Sequence, residues 1–225
     1  MALPAWNAIA VSDGERWLDS SAVPGALRGY RQVIDMRTGT ARTSYDWVDG
    51  SRRTTVRVET FVSRADSHLA ATRLSLTPHF PGRMRVRFAI VGRPPPRRLP
   101  LASAPRADPK WRPADVWYPG RSVVRSRSAT RLRNGARLSL TATPEGRTTV
   151  LAQAAVVGWP SDLSRPEVRT RAPADTAAVE LAFDATPGRT YRLTHVVGFD
   201  TSGSDARAPA RASREAEAGS ARGWD

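Results

Sequence analysis

The chain has no cysteine among its 225 residues. That removes thiolate catalysis, cysteine-bound zinc and disulfide staples together, and it is compatible with a reducing compartment. Its three histidines, His68, His79 and His195, stand singly without HxxxH-type spacing, so neither a histidine metal site nor a cofactor is expected. No run of 18 or more apolar residues occurs, and MALPAWNAIAVSDGERW lacks a basic stretch followed by a long apolar one and a small-residue cleavage site. The expectation is a soluble, cytoplasmic chain with no membrane partner, although a missing upstream segment could have carried a signal peptide. Phosphate loops are absent too, since GTARTS and GRPPP lack both the spacing and the lysine of a P-loop. Lys110 is the sole lysine, so the formal net charge of +14 rests on arginine.

That charge raises the question of nucleic acid or another anionic surface. Alanine, arginine, proline and glycine are abundant throughout, as in a chain from a GC-rich genome. Arg57, Arg73, Arg85, Arg87, Arg125, Arg137 and Arg192 are spread along candidate strands and form no single block with interleaved aromatics. A solvated arginine-rich surface is therefore expected, with salt-sensitive adhesion to polyanions and no specific nucleic-acid partner.

What the sequence has in quantity is alternation. In TTVRVETFV, Val56, Val58, Thr60 and Val62 fall on one face, and Arg57, Glu59 and Phe61 on the other; 73–77 and 83–91 alternate likewise. Further candidate strands are 30–36, 40–48, 121–127, 136–143, 148–157, 178–184 and 189–199. Thr-Gly-Thr at 38–40, Asp-Gly at 49–50, Pro-Gly at 81–82, Asn-Gly at 134–135 and Pro-Gly at 187–188 punctuate them. About ten strands with short turns predict an all-β fold, a large antiparallel β-sandwich.

Two segments break the rhythm. Residues 92–120 form a proline-rich excursion, and proline cannot donate to a sheet ladder. From Ser204 the tail gains alanine and glutamate and favours a helix after Pro209. The expected organisation is one sandwich domain over 1–203, containing the excursion, and a helical segment over 204–225. Trp224 would be an unusual exposed aromatic if nothing covered it.

YRQVIDMRTGTARTSYDWVDG followed by TTVRVETFVSRADSHLAATRLSLTP resembles the N-terminal domain of glycoside hydrolase family 65. That family includes maltose, trehalose and kojibiose phosphorylases and acid trehalases. The resemblance rests on Asp35, Met36 and Gly39, Trp47, Asp49 with Gly50, Phe61 to Ser63, His68 to Ala70, and Thr77 with Pro78, in the family's order. It covers roughly the first 80 residues well, and REAEAGSARGWD is similar to the helical linker that leaves the domain. The resemblance implies a super-sandwich fold. It implies also that the catalytic centre belongs to an (α/α)6 barrel absent from this chain, which holds the general-acid glutamate and either a phosphate site or a catalytic base. On that reading the chain alone is inactive, its partner is that barrel, and a homodimer is possible in the full enzyme.

The residues themselves offer little catalytic chemistry. Inverting glycosidases need two carboxyls about 6.5 to 9.5 Å apart. Asp35 and Asp46 could be neighbours across a hairpin, but aspartates beside turns usually accept bonds from local amides. His68 suits loop orientation better than proton transfer. His195 alternates with Tyr191, Leu193, Val197 and Phe199, the pattern of a hydrogen-bonded core histidine. Ser63 has no evident base. Ligand-binding character lies in the excursion, where Trp111, Asp115, Trp117 and Tyr118 cluster near Arg112 and Arg121. Aromatic faces stack on sugar rings and polar side chains bind hydroxyls, so this is a candidate saccharide site. The simpler reading, which we favour, is that these residues pack the loop onto the sandwich or a neighbouring domain. Two functions remain: an accessory, noncatalytic domain of a disaccharide phosphorylase or hydrolase, or a stand-alone carbohydrate-binding module, with a basic polyanion binder as a weaker variant.

Overall fold

The computed structural model describes residues 4–18, 25–92, 122–144, 146–163, 166–203 and 207–224. Alternating stretches become antiparallel strands that close two sheets over one core. The chain runs β1 (Ala5–Ser12), β2 (Trp17–Leu18), β3 (Leu27–Asp35), β4 (Thr40–Asp49), β5 (Arg52–Val62), β6 (Leu69–Pro78) and β7 (Gly82–Val91). It continues with β8 (Ser122–Leu132), β9 (Gly135–Pro144), β10 (Val150–Gly158), β11 (Glu167–Arg171), β12 (Thr176–Ala185) and β13 (Tyr191–Ser202), then α1 (Ala208–Arg222). The smaller sheet has the order β11-β12-β7-β1-β2, and the larger β3-β4-β5-β6-β13-β10-β9-β8.

Side-chain alternation decides which face meets the other sheet. On β7, Met84, Val86, Phe88 and Ile90 are buried while Arg83, Arg85 and Arg87 point away. On the larger sheet Val56, Leu74, Leu76, Leu193 and Val197 face inward with almost no exposure. Each large side chain buried this way contributes about 1.5–3 kcal/mol, and that contact, more than strand propensity, holds the layers together. The turn signals act as expected at Gly39 (φ 66°) and Gly50 (φ 56°), which take the left-handed conformation that closes the β3–β4 and β4–β5 hairpins.

Three strands depart from the sequence reading. β1 is alanine-rich and β2 is only two residues long, so neither has a strong strand pattern, yet β1 sits between β7 and β2. β11, Glu-Val-Arg-Thr-Arg, is a short charged edge strand, a form that discourages pairing with other chains.

The helix lies on the outer face of the larger sheet. Ala208, Ala212 and Ala216 pack on Ala152 and Ala154, and Gly219 sits over Leu69 and Val196. The approach is close because small residues meet on both sides: a Cβ added at Gly198 would stand 2.1 Å from the Ala212 carbonyl oxygen. Ion pairs fix the helix further, Glu217 to Arg137 of β9 at 2.7 Å and Arg211 to Asp200 of β13. Trp224 is not left open. It packs edge-on against Phe61, 5.3 Å between ring centroids, with the Arg73 guanidinium 4.7 Å above its face.

Candidate functional site

Asp35 and Asp46 do not face each other. Asp35 is opposite Thr40 and Asp46 opposite Arg28, so six residues of β4, roughly 20 Å of strand, separate them. Asp35 Oδ1 accepts the backbone N–H groups of Arg37 (3.0 Å) and Thr38 (3.3 Å) at its turn. Hydrogen bonds from the Thr38 side chain and backbone hold its carboxyl below the usual range. This is the turn role expected from sequence and leaves no raised-pKa acid.

Asp46 belongs to a chain of a different kind. Its Oδ1 accepts from the Thr55 hydroxyl at 2.6 Å, and His79 Nε2 lies 3.0 Å from the same hydroxyl. A nucleophilic triad has the imidazole between carboxylate and hydroxyl. Here the hydroxyl is in the middle, its single hydrogen is committed to Asp46, and His79 can only donate to it. The arrangement braces the β4–β5 pair and cannot generate an alkoxide.

The remaining histidines are structural. His68 Nδ1 donates to the Phe199 carbonyl at 2.9 Å, and the Phe199 N–H returns to the His68 carbonyl at 2.8 Å, which ties the β5–β6 connection to β13. Ser63 Oγ accepts the Asp66 N–H within the same turn. His195 is fully buried, as its alternation implies, with its ring centroid 5.4 Å from that of Phe88 and 6.4 Å from that of Trp6. The expectation of a hydrogen-bonded core histidine is corrected here: neither ring nitrogen has a partner among the described residues. Period-two alternation reports which sheet face a residue occupies and carries no information about partners across the core. Burial pushes its pKa down to about 4, so the ring is neutral.

Trp111, Asp115, Trp117 and Tyr118 lie outside the described residues, as do Arg112 and Arg121. Among the described residues no cluster of three or more His, Asp or Glu could hold a metal.

What the structure assembles instead is an arginine face. Register brings Arg31 opposite Ser44, Ser44 opposite Arg57, Arg57 opposite Ser75, and Ser75 opposite Arg192. One row across β3, β4, β5, β6 and β13 thus reads Arg-Ser-Arg-Ser-Arg, all on the outer face. The next row contains Val33, Arg42, Glu59, Arg73 and Thr194. Glu59 is engaged there, 2.7 Å from Arg73 and 3.4 Å from Arg42. Arg31, Arg57 and Arg192 are exposed and have no partner among the described residues. The open groove above them has a volume of about 730 Å³ and is lined by five arginines and a single carboxylate, Glu59. The sequence reading of dispersed arginines is therefore revised: separation along the chain becomes adjacency across the sheet.

Two antiparallel sheets closed over one core, with a helix on the outer face of the larger, define a β-sandwich domain. The family described as glycosyl hydrolase family 65, N-terminal domain, matches residues 1–225. The chain belongs to that family. No curated protein sequence matches it. Among solved structures it is similar to one described as a kojibiose phosphorylase from the human microbiome, with a TM-score of 0.65 and 9% identity. That match covers 88% of this chain and 22% of the other, so the chain spans about a fifth of that protein's length. At this identity the likeness concerns the fold. A heparinase III (TM-score 0.39, 7% identity, 79% of this chain and 22% of that one) and an aldose 1-epimerase of Escherichia coli K12 (0.36, 8%, 76% and 68%) are too distant to carry an argument.

Proposed function

We propose that the chain is the noncatalytic N-terminal sandwich domain of a family 65-like glycoside hydrolase or phosphorylase acting on α-glucosidic disaccharides, in carbohydrate metabolism. The observation that carries this reading is the family match over all 225 residues. It is supported by the fate of the carboxylates. Asp35 caps a turn, Asp46 accepts from Thr55, and Glu59, Glu167, Glu180 and Glu217 are paired with arginines. Each of these carboxyls is engaged by turn amides, a hydroxyl or a guanidinium, whereas a glycosidic general acid presents an unpaired, protonated carboxyl to the leaving oxygen. On this reading the domain's partner is a separate catalytic domain, an (α/α)6 barrel, and the sandwich supports it without doing chemistry.

The test is direct. Purified chain is incubated with kojibiose, maltose and trehalose, with and without phosphate, and glucose and glucose 1-phosphate are measured. No turnover is expected from the chain alone, and co-purification is expected with the catalytic domain encoded by the same organism. Turnover by the chain itself would overturn the assignment. Binding of an oligosaccharide without any catalytic partner would favour the stand-alone module.

A further inference from the structure

We propose that the outer face of β3, β4, β5, β6 and β13 is a docking surface for an acidic α-helix of a partner protein, laid across the strands on Arg31, Arg57 and Arg192. The first argument is spacing. Adjacent strands are about 4.8 Å apart, so arginines on alternate strands are separated by about 9.6 Å. Residues seven apart on a helix are separated by about 10.5 Å along its axis and lie close to one face. Carboxylates at i, i+7 and i+14 therefore meet the three arginines in turn. Ser44 and Ser75 keep the floor between them low, which a larger side chain would not.

The second argument is that this sheet face already takes a helix, seated by small residues and joined to the sheet by a carboxylate–arginine pair. α1 occupies the neighbouring strip over β10 and β13, and its Glu217 reaches Arg137 of the sheet at 2.7 Å. The third concerns the class of partner. Val33 stands beside the row on the same outer face, 38% exposed, and gains nothing from a sugar-phosphate or sulfated polymer. The unpaired arginines of the row call for anionic groups beside it. A protein surface with carboxylates and some apolar side chains satisfies both features. Unpaired arginines bring on-rate and orientation to such a contact, and their planar groups hold carboxylates bidentately.

This deepens the proposed function and rests on it for the partner's identity, the catalytic domain being the nearest bearer of such a helix. The face can be read without that domain. The probe is a side-chain-stapled, labelled helical peptide with glutamates at i, i+7 and i+14, titrated into the full 225-residue chain at low and at physiological ionic strength. A peptide of the same composition with its glutamates redistributed around the helix is the control. The in-register peptide is expected to bind wild type and R131S/R133S/R147S alike, and R31S/R57S/R192S about tenfold more weakly, as three modest ion pairs are lost. Equal binding of the redistributed peptide, or equal loss in both triple variants, would reduce the face to unspecific charge and overturn the proposal. So would binding of a heparin oligosaccharide to the row without binding of the peptide. A chain that ignores the peptide but co-purifies with the catalytic domain through R31S/R57S/R192S overturns this docking face and leaves the proposed function standing. A chain that binds the peptide on the row but fails to co-purify overturns the proposed function while supporting the face.

Discussion

Replacing His195 by leucine should flatten the acid limb of the stability profile. The imidazole is fully buried between Phe88 and Trp6, and its pKa falls from 6.5 to about 4 because burial disfavours the charged ring. In the unfolded chain the same ring titrates near its ordinary value. Between those two values the unfolded state binds a proton that the folded state refuses. Stability is thus fully present above about pH 6.5 and is lost as pH falls toward 4. The linkage amounts to about 1.4 kcal/mol at pH 5.5 and about 2.5 kcal/mol at pH 4.5, relative to pH 8. Domains of this kind have about 5–15 kcal/mol in total, so the loss is visible. Urea denaturation of wild type and H195L at pH 8, 5.5 and 4.5 measures it, the difference between the two proteins isolating this ring from the carboxylates. H195L should equal or exceed wild type at pH 8, since no orphaned nitrogen remains, and should lose less on acidification by the amounts above. Parallel profiles for the two proteins would refute the reasoning, because they would mean that His195 takes up its proton equally in both states.

Other substitutions test the packing. G198A places a Cβ 2.1 Å from the Ala212 carbonyl oxygen and 2.8 Å from the Ala216 nitrogen, both backbone atoms that cannot rotate away. It should cost about 1–3 kcal/mol and raise amide exchange in α1 selectively, as read by hydrogen-exchange mass spectrometry. W224A removes the ring between Phe61 and the Arg73 guanidinium. It should cost about 1–2 kcal/mol in urea denaturation and increase proteolysis at the end of the helix, leaving the sheets intact. Asp46→Asn should leave the chain as inactive toward kojibiose, maltose and trehalose as wild type, since Asp46 braces a strand pair; a change in any measurable turnover would reopen its catalytic reading.

Legibility followed the range of each interaction. β4 to β7 were readable because alternation is strong and a turn residue such as Gly50 fixes each hairpin locally. β1 escaped because Ala5, Ala8 and Ala10 give it a weak strand pattern, and its place between β7 and β2 is decided by tertiary contacts. Asp35 was readable because its partners, Arg37 and Thr38, are two and three residues away. The arginine row was not. Arg31, Arg57 and Arg192 are each an ordinary outward residue, and only the pairing of β6 with β13, more than a hundred residues apart in the chain, aligns Arg192 with the others. His195 shows the same limit from the inside. Its burial follows from its neighbours on the strand, whereas its lack of partners depends on Phe88 and Trp6 from the opposite sheet.

The tight seat of α1 on Gly198 also acts as a proofreader of strand alignment. A slip of β13 by one residue against β6 or β10 would turn its core side chains outward, and the core itself forbids that. A slip by two keeps every apolar residue inside, so the core alone tolerates it. The helix does not, because such a slip would set Val196 or Asp200 beneath the Ala212 carbonyl, where only glycine fits. The same slip would move Arg192 out of line with Ser75 and Arg57. A glycine under a helix therefore keeps an arginine in its row six residues away.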